Sequence, residues 1–167
     1  MRVAVLANLH FGRSADTLRF TGCRSRIQSD IETARDMLLE GGLGLVAVKD
    51  GKVVVSSRER GVRPLVDAVL GARESLKGAV VGDRVVGRAS AMLCVYCSVG
   101  AVYTPLASEG ALAELASAGI PVVADRTTPA ILNRDGTDRC PFEKMTDGLR
   151  SPAEVVDTLR AFFETRR

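Results

Sequence analysis

The 167 residues are 46% hydrophobic with a mean hydropathy of +0.11, a balance that suits one domain with a sizeable core and argues against a disordered chain. Residues 1–30 carry five Arg and two Asp, a net of +3, while residues 31–167 balance 18 basic against 18 acidic side chains, so the domain proper lacks the basic face of a dedicated nucleic-acid binder. No apolar run reaches the about 18 residues that span a bilayer, no signal peptide is convincing, and four Cys at irregular spacing make no secreted disulfide framework. The expectation is a cytoplasmic protein with reduced thiols. It has a basic N-terminal extension over residues 1–28 that need not be ordered, and a single domain over 29–167 with no membrane partner.

The first regular element starts at Ser29, where "SDIE" forms a capping box to Glu32, ahead of Ile31, Ala34, Met37 and Leu38 on one helix face. Gly41 and Gly42 stop it. "LGLVAVK" and "KVVVSS" flank Asp50-Gly51, a hairpin signal because both turn positions need positive φ. Pro64 opens a helix carrying Leu65, Ala68, Val69, Ala72 and Leu76. Asp83 is read as the start of a second long helix, "DRVVGRASAMLCVYCSVG", ended by Gly100. "AVYTPL" is a strand, "EGALAELASAG" a helix and "IPVVADR" a strand, together a parallel crossover unit. "SPAEVVDTLRAFFETRR" closes the chain as a capped helix with Val155, Leu159 and Phe162 inward. The class is α/β, a three-layer α/β/α arrangement around a mixed sheet.

Three stretches carry a resemblance: "SSRERGVRPL" (Ser56–Leu65), "GDRVVGRASA" (Gly82–Ala91) and "NRDGTDRCPFEK" (Asn133–Lys144). With the order of elements, they resemble an uncharacterised prokaryotic family, catalogued as a domain of unknown function, with a cytidine-deaminase-like fold. The resemblance spans about residues 29–165 and implies a fold rather than a reaction.

Zinc deaminases need a His or Cys ligand two residues before a catalytic Glu, then two Cys in P-C-x-x-C. The first place reads "DRVVG" and the second "TPLASE", with Leu106 and Glu109 where thiolates would stand. The one His, His10, lies in the N-terminal arm. The ligand set is missing, and no metal or cofactor is expected; no Walker A or GxGxxG motif is present either. Cys94 and Cys97 sit in an apolar helix and are read as core.

The polar stretch "NRDGTDRCPFEKM" supports more than one reading. Asp135-Gly136 is a turn, Pro141 suits a first helical turn, and Cys140 with Glu143 then occupies the N-cap and N3 positions. The same geometry lowers a thiol's pKa, and Arg139 and Lys144 would add to that, so Cys140 is a candidate nucleophile with Glu143 as acid/base. Arg58, Arg60 and Arg63 follow the hairpin, and Arg84 and Arg88 fall one turn apart on the expected helix. If they converge they form an anion site; otherwise they are a solvated face. Gly87, costing about 1 kcal/mol in a helix interior, signals close approach of another element. The leading expectation is a pocket at the head of the Asp83 helix. It would hold a small anionic or nucleotide-like ligand with Asp83, Arg84, Arg88, Asn133, Arg134 and Asp135. The alternatives are a zinc-independent enzyme using Cys140 and Glu143, and a domain used only for association, with the oligomeric state left open.

Overall fold

The computed structural model describes residues 3–5 and 17–166, with side chains from Arg26 onward. Thirteen elements follow one another among the described residues. They are β1 (Val3–Val5), α1 (Thr17–Leu39), β2 (Leu45–Lys49), β3 (Lys52–Ser57), α2 (Arg63–Leu76), β4 (Val80–Asp83) and β5 (Val85–Val86). After these come α3 (Arg88–Tyr96), β6 (Ala101–Ser108), α4 (Glu109–Ser117), β7 (Val122–Thr128), α5 (Pro141–Met145) and α6 (Pro152–Glu164). Of the N-terminal arm, Arg2, His10, Arg13 and Asp16 lie outside the described residues.

The sheet runs β1-β7-β6-β4-β2-β3, with β5 paired to β6 beside β4. Strands β4, β6 and β7 are parallel, and the β2–β3 hairpin and β1 join antiparallel, making the sheet mixed. Helix α1 covers one face, packing Ile31, Ala34 and Leu38 on Val46, Val48, Val80 and Tyr103. Helices α2, α3, α4 and α6 cover the other, around Leu45, Val81, Leu93, Val102, Leu115 and Leu159. This is the three-layer α/β/α arrangement. A Cβ on Gly82 would stand 2.9 Å from Val46 Cγ1 and 3.1 Å from Leu38 Cδ1, which is why β4 carries glycine under α1.

Local signals hold where chain-neighbour chemistry suffices. Asp50 and Gly51 take φ of 51° and 77° in the hairpin turn, and the Gly51 N–H donates to buried Asp30 at 2.9 Å. Ser151 and Glu154 form the reciprocal capping box of α6, and Val155 and Leu159 are fully buried. Cys94 and Cys97 are core residues; burial raises both thiols, Cys97 to about 11, and Cys94 further, with Asp83's charge adding to it.

Two expectations are corrected. Ser29 does not cap a helix: α1 is already under way at Thr17, and Ser29 contributes only its carbonyl, which accepts the Thr33 hydroxyl at 3.0 Å. The helix expected from Asp83 is instead two strands and a shorter helix. Asp83 ends β4, Val85 and Val86 form β5, and α3 starts at Arg88 with Gly87 as its extended N-cap residue (φ −92°, ψ 178°). The density of β-branched residues in "VVGDRVV" favours strand, and a doubly covered parallel strand shows a continuous apolar run rather than an alternation.

Candidate functional site

An open cleft of about 1080 Å³ lies at the carboxyl ends of the parallel strands. Asp83 at the end of β4, Leu106 in β6 and Arg126 in β7 reach it from the sheet. Arg60 comes from the loop before α2, Arg63 from the first turn of α2, and Arg134, Cys140 and Glu143 from the 131–143 segment. Apolar walls come from Val62, Ile131, Leu132, Phe142 and Phe163. Arg63 lies 5.1 Å from the centre of the Phe163 ring and pairs with Asp67 at 3.4 Å.

Asp83 is 5% exposed. One carboxyl oxygen accepts the Val85 N–H at 3.3 Å, and among the described residues no side chain bonds to either oxygen. Burial pushes its pKa up to about 7, with the N–H groups of Val85 and Arg84 offsetting part of that rise. Arg84 also lines the cleft, but its guanidinium donates to the Leu43 carbonyl at 2.7 Å and to the Leu38 carbonyl. It closes the C-terminus of α1, where a cation meets the negative end of the helix dipole.

Arg88 is turned elsewhere. Its Nε meets Glu114 at 2.9 Å, and its other nitrogens donate to the carbonyls of Thr146 and, at 2.7 Å, Leu149. It ties α3 to α4 and to the turn between α5 and α6, and it is not part of the cleft wall. The two Arg expected one turn apart are separated by strand β5, so their side chains part.

Asn133 is spent on its own loop. Its Oδ1 accepts the N–H groups of Thr137 (3.0 Å) and Asp138 (3.4 Å), and its amide donates to the Thr137 hydroxyl at 3.1 Å. Asp135 is exposed beside Gly136 (φ 68°) and does not reach the cleft. The loop is clamped by a two-pronged Arg139–Asp147 pair (2.9 and 3.0 Å) and by Lys144 on Asp138, and these cations hold both carboxyls below the usual range. Cys140 is the N-cap residue of α5, half-buried on the cleft wall, with no side-chain cap bond. Glu143 is buried; its two oxygens accept the N–H groups of Arg88 (3.4 Å) and Ile131 (3.2 Å). Its carboxylate therefore sits on the N-terminus of α3, and a Cβ on Gly87 would lie 3.0 Å from Glu143 Oε1. That is the close approach Gly87 signals.

The heads of α3 and α4 carry Gly87, Arg88 and Ala89, and Ser108, Glu109 and Gly110, none of them a His or Cys. Among the described residues no three His, Cys, Asp or Glu side chains converge to hold a metal ion. This donor set does not fit zinc.

Residues 33–163 match the family profile described as Domain of unknown function (DUF1893). The chain belongs to the DUF1893 family. A crystal structure of a DUF1893 family protein from Thermotoga maritima is similar at 23% identity and a TM-score of 0.66, covering 92% of this chain and 95% of that one; the likeness shows the fold alone. Acinetobacter baumannii RibD is a weaker neighbour, at 20% identity and a TM-score of 0.40 over 64% of this chain and 36% of that one, a likeness too small to bear on function. No curated protein matches the chain. Among the described residues no helix is long and apolar enough to cross a membrane.

Sequence reasoning passed over Arg126, read only as part of a strand. The available signal was its place at the carboxyl end of the second parallel strand of a crossover, where open α/β sheets present side chains to ligands. A second cavity, about 350 Å³, lies beside α1 between Glu32, Arg35, Asp36, Tyr103 and Asp125. There the Tyr103 hydroxyl donates to Asp125 at 2.8 Å, and burial pushes its pKa up to about 12.

Proposed function

We propose that this DUF1893 chain binds a small anionic or nucleotide-like ligand in the cleft, on a deaminase-like scaffold without its zinc, in the cytoplasm. One observation carries the reading. Arg60, Arg126 and Arg134 line a single cleft, and none has an acidic partner among the described residues. Guanidinium groups suit bidentate contact with phosphate or carboxylate, and apolar walls with a few convergent polar groups are the usual make-up of a small-molecule site. The location, outside the carboxyl ends of parallel strands, is where open α/β sheets hold ligands.

Native mass spectrometry of protein purified from cells tests this first. A small excess mass, lost on denaturation, identifies the ligand. Its affinity then falls at least about tenfold in the Arg126→Ala, Arg134→Ala double variant, equivalent to about 1.4 kcal/mol. Unchanged affinity in that variant refutes the placement.

A second reading uses Cys140 as a nucleophile. It is favoured by a half-buried thiol standing on the cleft wall. Its intended acid/base partner, Glu143, already has both oxygens engaged by backbone N–H groups, so binding is the preferred reading.

A further inference from the structure

We propose that Asp83 decides which oxyanions the cleft accepts: those that bring their own O–H, as hydrogen phosphate does, are held, and those that only accept hydrogen bonds, as sulfate does, are turned away. This rests on the cleft being an anion site. The cationic side chains explain attraction to any anion, but not a buried carboxyl at the end of β4 in the same cleft.

The geometry of that carboxyl carries the inference. Asp83 is enclosed by protein yet lines the cleft, and among the described residues its carboxyl is met by backbone N–H groups alone, that of Val85 at 3.3 Å. Among the described residues no side chain partners either Asp83 oxygen, which leaves the carboxyl as an acceptor for a ligand in the cleft it lines. The one cation beside it in the chain, Arg84, is committed to the carbonyls of Leu38 and Leu43. Cys94 stands behind it in α3 as an un-ionised thiol. Arg63, Arg126, Cys140 and Glu143 face the cleft from α2, β7 and the head of α5.

An ionised carboxyl is an acceptor only. Opposite sulfate it sets lone pairs against lone pairs and like charge against like charge, an arrangement that rejects a ligand more strongly than a lost contact would. Opposite hydrogen phosphate it receives the ligand's proton in a charge-assisted hydrogen bond, with the remaining phosphate oxygens left for guanidinium groups. Both anions are dianionic and tetrahedral at alkaline pH, so one proton is the whole difference. Burial places the Asp83 titration near neutrality, at about 7. Below that the carboxyl is an acid, donates a hydrogen bond, and sulfate is accepted too.

The test is an NMR chemical-shift titration of the full chain with inorganic phosphate and with sulfate, in wild type and Asp83→Asn. At about pH 8.5 wild type binds phosphate at least about tenfold more tightly than sulfate, and the ratio collapses towards one in Asp83→Asn, whose amide donates to either anion. On lowering the pH to about 5.5, sulfate affinity rises at least about tenfold more in wild type than in the variant. Equal affinity for the two anions in wild type at about pH 8.5 overturns the role of Asp83 and leaves the anion cleft standing. If neither anion shifts the cleft amides, both readings fall.

Discussion

Replacing Asp83 by Asn is expected to stabilise the protein, and to do so only where the carboxyl would be ionised. The carboxyl titrates at about 7 in the folded chain against an ordinary 3.8, and desolvation is the leading cause. Between those values the folded state holds a proton that the unfolded state has released, so stability falls as pH rises. The contribution is fully present below about 3.8 and has been lost once the pH passes about 7. At about 1.4 kcal/mol per pH unit the loss amounts to about 4 kcal/mol, a large part of the stability of a domain this size. Asn keeps an oxygen for the Val85 N–H, 3.3 Å away in wild type, and has no charge to desolvate. Urea denaturation of both proteins at about pH 4.5 and 8.5 isolates the effect, since every other titrating group is shared. The advantage of Asp83→Asn should widen by about 3 kcal/mol between the two. A difference that stays constant with pH would refute the buried, cleft-floor carboxyl.

The other expectations follow from individual contacts. Arg88→Ala removes the tie between α3, α4 and the Thr146–Leu149 turn and should cost about 2–3 kcal/mol by chemical denaturation, while anion affinity stays within about twofold because the side chain does not line the cleft. Gly87→Ala places a methyl 3.0 Å from Glu143 Oε1 and 3.2 Å from Ile131 Cγ1. Glu143 is buried and held by two backbone N–H groups, so it cannot give way, and a loss of about 1–2 kcal/mol is expected in the same assay. Of the three described thiols, Cys140 should be alkylated by iodoacetamide in the native state and Cys94 and Cys97 only after unfolding, as peptide mapping would show. Native labelling of Cys94 would contradict its burial.

Part of the candidate site was legible. "NRDGTDRCPFEKM" contains the Gly136 turn, the Pro141 helix start and the Cys140 N-cap position in the order the structure has them. What the residues touch was not. Asn133 is enclosed by the Thr137 and Asp138 amides of its own loop, and Glu143 reaches back to the start of a helix 55 residues earlier in the chain. Arg126 carried no local mark beyond its position at a strand end.

The sequence by itself determined the elements whose signals are local. Asp50-Gly51 made a hairpin, Ser151 and Glu154 capped α6, and the strand, helix and strand from Ala101 to Thr128 formed a parallel unit, because turn φ values, capping bonds and periodicity need only neighbouring residues. Tertiary structure decided the rest. A strand covered on both faces and a buried helix are both continuous apolar runs, so the β-branched residues of Val80–Asp83 favoured a strand but its place between β2 and β6 settled it. Long side chains settle on whichever carbonyls and carboxylates folding brings within reach. Folding sent Arg88 to Glu114, Thr146 and Leu149, and Arg84 to the end of α1, and left Arg126 and Asp83 at the cleft.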